Sequence, residues 1–178
     1  EGLVELAIKR LQSNMQVLDI GTGSGAIAIT LKLQRPDLAV FATDYSGKAL
    51  EVARHNAAEL KAEIEFIIAD LYPPEGRCFD AIISNPPYID SADYHALELK
   101  VRSYEPQLAL YGGIDGLDYY RRIIAKAAAY LSPQGFIAFE HGATQADAII
   151  RLAQDAGIET HEKYLDLCGR DRYLILKR

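Results

Sequence analysis

Residues 84–91 read Ser-Asn-Pro-Pro-Tyr-Ile-Asp-Ser and follow directly on the apolar run Phe79 to Ile83. Consecutive prolines cannot continue a ladder of backbone hydrogen bonds, so they halt the strand and stiffen what comes next. Asn85 offers one carbonyl acceptor and one NH2 donor and cannot act as a base. Pro86 donates nothing, so its carbonyl and the Asn85 side-chain carbonyl form a pair of fixed acceptors. Such a pair suits a substrate –NH2 group, whose delocalised lone pair makes it a poor nucleophile. Accepting both of its hydrogens pushes electron density back onto nitrogen and aims the lone pair at an electrophile, which is catalysis by placement. Pro87 prolongs the rigid turn, and Tyr88 supplies a flat face on which a planar group can stack. The plainer reading is a rigid turn with Tyr88 packed over a sheet edge. A ligand loop elsewhere at the same edge favours the chemical reading.

Such a loop is present. "VLDIGTGSGA" puts Gly21, Gly23 and Gly25 at the join of a strand and a helix. Glycines there permit a tight turn and close approach of a ligand, while the helix start presents free N–H groups. Asp44 closes the second strand, where its carboxylate can accept both hydroxyls of a ribose. Gly21, Gly23 and Ala26 also satisfy the dinucleotide pattern, so a nucleotide-like ligand is indicated and its identity stays open. The plainer alternative is packing glycines and a helix cap at Asp44. Asp70, followed by Leu71, ends the third strand; it can receive an adenine amino group beside an apolar surface, or merely cap the loop before Pro73.

These residues need a scaffold that brings strand ends together. Short apolar runs at 16–20, 39–44, 64–70, 79–85 and 135–141 read as buried strands, with helices predicted at about 25–34, 46–61, 116–131 and 144–156. That alternation implies an α/β fold with a mostly parallel sheet and helices on both faces. In the tail, "GIETHEKYLDL" and "RYLILKR" are separated by only Cys168 to Asp171, too short for a helix. A hairpin results, which makes seven strands with the last one antiparallel. The stretch 90–115 resists assignment.

The 178 residues, 49% of them apolar, suffice for one well-buried core, so 1–178 is read as a single domain. A formal charge of −6 argues against a broad phosphate-binding face, and local pairs such as Arg121 and Arg122 do not alter this. Direct nucleic-acid binding is therefore not expected. Cys78 and Cys168 lie far apart without CxxC spacing, so neither a metal site nor a disulfide framework is indicated. No apolar run reaches the roughly 20 residues that span a bilayer, and no signal-peptide pattern is present. A soluble, cytoplasmic protein without membrane attachment is expected. "EGLVELAIKRL" opens inside a helix-period pattern with no initiator Met or N-cap before it, which predicts a piece of a longer chain.

Together, "DIGTGSGAIAI", "SNPPYI", "YEPQLALYGGIDGLDYYRRI" and "DLCGRDRYLILKR" resemble, along nearly the whole chain, the HemK/PrmC family of release factor glutamine methyltransferases. Asn-Pro-Pro-Tyr alone is shared with methyltransferases of nucleic-acid amines; the stretch from Tyr104 to Tyr119 and Gly169 to Arg172 narrow the match. The resemblance implies a Rossmann-like class I methyltransferase fold. It implies S-adenosylmethionine as cofactor and, as protein substrate, a class I peptide chain release factor, methylated on the side-chain nitrogen of its Gly-Gly-Gln glutamine. Carried over residue by residue, Gly21, Thr22, Gly23, Ser24 and Gly25 would lie against the methionine part, Asp44 would hold the ribose, Leu71 would flank the adenine, and Asn85, Pro86, Pro87 and Tyr88 would bind the amide. Departures are the missing arginine-proline motif upstream of Glu1, the missing small helical N-terminal domain, and His141, where an apolar residue is usual.

His55, His95 and His161 fall on positions that look solvent-facing, and Glu105 either contacts substrate or caps a turn. Three rivals remain at this point. A methyltransferase of adenine or guanine amines in DNA or RNA needs a basic approach surface, which the net charge opposes. A nicotinamide-dependent oxidoreductase needs a Tyr/Lys or His/acid pair, and none stands at an interpretable spacing. A non-enzymatic S-adenosylmethionine-binding scaffold differs from an enzyme in the effect of Asn85→Ala on turnover.

Overall fold

The computed structural model describes residues 1–74, 76–96 and 107–178. Seven strands form one sheet in the order β3-β2-β1-β4-β5-β7-β6. They are β1 (Gln16–Ile20), β2 (Ala39–Asp44), β3 (Glu65–Ile68), β4 (Phe79–Ser84), β5 (Leu131–Glu140), β6 (Thr160–Leu165) and β7 (Asp171–Lys177). β1 to β5 pair in parallel, whereas β7 is antiparallel to both β5 and β6. The predicted C-terminal hairpin thus enters the sheet with its second strand innermost.

Residues alternate between two cores because successive side chains of a strand point to opposite faces. Leu18, Ile82, Ile137, Phe139 and Leu174 pack on one face, beneath α6 (Asp118–Tyr130) and α7 (Ala146–Asp155). Val17, Ala81, Ile83, Ala138 and Ile175 pack on the other, beneath α1 (Gly2–Ile8) and α2 (Ala26–Gln34). The buried residues Tyr120, Ile123, Ile124 and Ala127 of α6, and Ala146, Ile149, Ile150 and Ala153 of α7, recur at helical spacing and give each helix one apolar face. On the second face α3 (Gly47–Glu59) begins at Ser46, whose hydroxyl accepts from the Ala49 N–H at 3.2 Å. Two short helices, α4 (Ser91–Ala96) and α5 (Gln107–Leu110), lie in the stretch that the sequence left unassigned.

Element boundaries differ from expectation where the backbone turns toward the sheet's end. β3 stops at Ile68, not at 70, and β4 stops at Ser84, ahead of the prolines. β5 begins earlier, at Leu131, which pairs with Phe79 before an irregularity shifts the register. Among the described residues no helix is long and apolar enough to cross a membrane.

Gly25 caps α2 at φ +85, and a Cβ there would stand 2.9 Å from Ile29 Cδ1 and 3.2 Å from the Ala53 Cβ. Both the left-handed backbone and the contact with α3 penalise a side chain. Gly25→Ala is predicted to lower stability by about 1 to 3 kcal/mol. Urea unfolding checks this, and an unchanged midpoint contradicts it.

Candidate active site

β1 to β4 run parallel, so their C-terminal ends share one edge, and the strand order reverses between β1 and β4, where open α/β sheets leave a crevice. A cavity of about 690 Å3 occupies that place. The loop after β1 contributes Gly21 and Gly23, the end of β2 contributes Asp44, Tyr45 and Ser46, the loop after β3 contributes Ala69, Asp70 and Leu71, and the end of β4 contributes Ser84, Asn85, Pro86 and Pro87. Tyr119 and Arg122 of α6 close the far side. The structure thereby brings together the predicted residues of four separate segments. It places Thr22, Ser24, Gly25 and Tyr88 outside the cavity lining.

Backbone and side-chain hydrogen bonds fix the glycine loop. The Thr43 carbonyl accepts from the N–H groups of both Gly21 and Thr22, at 2.9 and 3.0 Å. One Asp44 oxygen accepts from the Gly23 N–H at 2.9 Å and the other from the Ser46 N–H at 2.8 Å. Each carboxylate oxygen has a further acceptor direction, so Asp44 orders the loop and keeps capacity for two hydroxyls. Gly21 and Gly23 have positive φ, and a Cβ on either would meet nothing within 4 Å. Here glycine answers to backbone geometry and leaves the peptide groups open to the cavity. Beneath the loop, the fully buried Asp19 accepts from the Thr22 hydroxyl at 2.6 Å and from the Ala28 N–H at 3.2 Å, while its Oδ1 has no partner among the described residues. Thr22 therefore faces inward.

The loop after β3 contains a feature that propensity does not announce: Leu71 adopts φ +74, a conformation costly for a side chain with a Cβ. Its surroundings hold it there. The Thr43 hydroxyl donates to the Leu71 carbonyl at 2.6 Å. The neighbouring Tyr72 is buried, donates to the Ile123 carbonyl at 2.9 Å and stacks on Tyr130 at 4.4 Å. Asp70 is gripped at 2.7 and 2.6 Å by Arg122, whose guanidinium also lies 5.9 Å from the centre of the Tyr119 ring. Arg122, noticed in the sequence only as half of a basic pair, is thus part of this wall.

Asn85 is exposed at the cavity, and among the described residues no hydrogen bond engages its side chain. The strand before it is tied to β1 by the Ser84 hydroxyl, which donates to the Ile20 carbonyl at 2.8 Å. Behind the prolines runs the Gly-Gly-Ile-Asp-Gly turn. The Gly112 N–H donates to Ile89 at 2.9 Å, and a Cβ on Gly112 would lie 2.6 Å from the Pro87 carbonyl oxygen. Close backbone approach therefore explains Gly112, which the sequence reading used only for its resemblance. Arg172, from the Gly169 to Arg172 segment, donates to the His141 carbonyl at 3.0 Å, and its guanidinium stands 5.9 Å from the centre of the Tyr88 ring.

His55, His95 and His161 are exposed, whereas His141 is fully buried. Its Nδ1 lies 2.9 Å from the Gly142 carbonyl, which can only accept, so Nδ1 carries the proton; Nε2 has no partner among the described residues. Burial lowers its pKa and favours the neutral ring. Tyr104 and Glu105 lie outside the described residues.

Comparison with known proteins gives concordant results. Residues 4–102 match the Methyltransferase small domain family. A release factor glutamine methyltransferase of Bacillus cereus is 43% identical over 162 residues, covering 89% of this chain and 57% of that protein. One from Neisseria gonorrhoeae is 42% identical over 180 residues, covering 99% and 66%. The crystal structure of the release-factor-specific protein-(glutamine-N5) methyltransferase from Alicyclobacillus acidocaldarius superposes with a TM-score of 0.59 at 31% identity, covering 99% of this chain and 89% of that one. The chain spans less than two thirds of the length of these curated relatives.

The buried carboxyl under the glycine loop makes a pH-dependent prediction. Burial pushes Asp19 up to about 7, against the opposing hydrogen bonds from Thr22 and Ala28, with a small further rise from the Asp44 charge. The unfolded carboxyl titrates near 3.9. Between those values the native state binds the extra proton, so this group's contribution to stability falls as pH rises from about 4 to about 7 and is level above. Asp19→Asn removes that slope. From pH 5 to pH 7.5 the wild type is expected to lose about 2 kcal/mol relative to Asp19→Asn. Parallel pH dependences in urea titrations would refute the assignment.

Proposed function

The chain belongs to the Methyltransferase small domain family and to the release factor glutamine methyltransferases, and on that premise we propose that residues 1–178 form a catalytic domain that transfers a methyl group from S-adenosylmethionine to the glutamine side-chain nitrogen of the Gly-Gly-Gln motif of a peptide chain release factor. The cofactor would lie along the cavity, with its methionine part against Gly21 and Gly23, its ribose on Asp44 and its adenine beside Leu71. The open glycine loop and the unused acceptor directions of Asp44 fit such a ligand. Translation termination places this work in the cytoplasm.

When bound, S-adenosylmethionine supplies an electrophilic methyl group on a sulfonium. The chain's own residues prepare the nucleophile. Asn85 Oδ1 and the Pro86 carbonyl accept the two N–H hydrogens of the substrate amide, which restores electron density to its nitrogen and directs the lone pair along the cavity. Gly21, Gly23, Asp44 and Leu71 would hold the cofactor with its methyl group available to that nitrogen, which would give up one of its protons to solvent in exchange. No side-chain base is required, and Asn85 could not be one. Rigidity matters more: the prolines and the strand tie at Ser84 hold the acceptors before substrate arrives, so little reorganisation accompanies the reaction.

The observation that carries this reading is the Asn85 carboxamide, unengaged by the described residues, at the mouth of a cavity that begins at the glycine loop. Incubation with labelled S-adenosylmethionine and either release factor or nucleic acid tests it. Label on the release factor is expected; label on nucleic acid alone overturns the assignment.

Two substitutions divide the roles. Asn85→Ala is expected to lower kcat on release factor by roughly a hundredfold to a thousandfold while leaving cofactor affinity nearly intact, the usual scale for losing one preorganised polar group. Asp44→Ala is expected to weaken S-adenosylmethionine binding by about 1.5 to 3 kcal/mol. Calorimetric titration beside steady-state kinetics checks both, and an Asn85→Ala enzyme with near-normal turnover ends the positioning mechanism.

A further inference from the structure

Tyr88 is the one member of the Asn-Pro-Pro-Tyr segment outside the cavity lining, and its backbone is held from behind by a residue of the α7 entry. Gln145, the N-cap residue of α7, uses both ends of its side-chain amide. Its Nε2 donates to the Tyr88 carbonyl at 2.9 Å and to the Gly116 carbonyl at 3.2 Å, and its Oε1 accepts from the Gly142 N–H at 2.9 Å. Two donors and one acceptor are thus satisfied by three different loops: the one after β4, the glycine turn before α6 and the one after β5.

The glycines on either side record the same contact. A Cβ on Gly116 would collide with the Tyr88 carbonyl and with Gln145 Nε2, and one on Gly142 would stand 2.9 Å from Gln145 Oε1. Both positions are kept clear for the glutamine amide. The Tyr88 ring is held separately by Arg172, which the Asp166 carboxylate faces at 3.7 Å. One grip sets the chain's course and the other sets the ring.

We infer that Gln145 is a positioning residue for methyl transfer: by fixing the Tyr88 carbonyl it sets the path of Asn85 to Tyr88, and so the direction of the two acceptors that receive the substrate amide. The inference rests on the function proposed above for Asn85. It differs from simple stabilisation because the contact lies behind the reacting segment and away from the cofactor loop. Loss of the grip should therefore reduce kcat while cofactor affinity holds.

Gln145→Glu is the discriminating variant. It keeps the shape and the oxygen that accepts from Gly142, but turns a carboxylate oxygen toward two carbonyl oxygens. Protonation would restore an O–H donor to that position, so activity relative to wild type should rise as pH falls. Gln145→Leu removes the group without a titratable replacement and should show no such rise. Both variants are expected to lose at least about tenfold in kcat on release factor at pH 8, a barrier increase of about 1.4 kcal/mol, with S-adenosylmethionine affinity within about threefold of wild type. Amide hydrogen exchange adds a readout independent of activity: the Ile89 and Gly112 N–H groups, bonded at 3.0 and 2.9 Å in the wild type, should exchange faster in both variants while β1 is unchanged. Should Gln145→Glu fail to fold, the leucine variant carries the kinetic and exchange measurements. Variants with wild-type turnover, or with undisturbed exchange at Ile89 and Gly112, overturn the inference. If the wild type does not methylate release factor, the functional reading fails, and the exchange result still decides whether Gln145 braces the segment.

Discussion

At Thr43 the ladder between β1 and β2 ends with one carbonyl oxygen serving two donors, Gly21 and Thr22, while the hydroxyl of the same residue reaches the Leu71 carbonyl. A parallel ladder that stops leaves peptide groups unpaired, and buried peptide groups must find partners. This buried threonine supplies them to two loops at once. The glycine loop and the loop after β3, distant in sequence, are thereby fixed relative to each other by a single side chain and its carbonyl. Ser84 repeats the device between β4 and β1. The cavity owes its shape to these few terminal bonds, and the helices around it supply burial.

Much of this was legible in the residues. β1 and β2 begin and end where the apolar runs do, and the ends of β1 to β4 carry the glycines, Asp44, Asp70 and Asn85 that line or adjoin the cavity. Strand periodicity and turn chemistry are local properties, so a single sequence displays them. The positive φ of Leu71 is not, because it is imposed by Thr43 of β2 and, through Tyr72, by Ile123 and Tyr130 of α6. Likewise Gly112 and Gly116 are glycine because of Pro87, Tyr88 and Gln145, and only the folded chain brings these together. The grip of Arg122 on Asp70 is equally non-local and turns half of a basic pair into part of the cavity wall.

The two faces of the sheet draw on the same two strands. On the α1 and α2 face β4 and β5 contribute Ala81, Ile83, Phe136 and Ala138, and on the α6 face Phe79, Ile82, Ile137 and Phe139. From the second of these faces Tyr119 and Arg122 of α6 reach the cavity at the strand ends.

The strand order has a colloidal consequence. Among the described residues the two strands left with an unpaired side are β3, only four residues long, and β6, which reads Thr-His-Glu-Lys-Tyr-Leu and is largely exposed. The strands with the longest buried runs, β4 and β7 among them, are flanked on both sides. An open edge is a template on which another chain can add a strand, and shortness and charge are the means by which natural sheets discourage it. Inserting β7 inside the hairpin, rather than at the margin, gives the outermost place to the strand bearing Glu162 and Lys163. The connectivity that completes the core also guards the molecule against edge-to-edge aggregation.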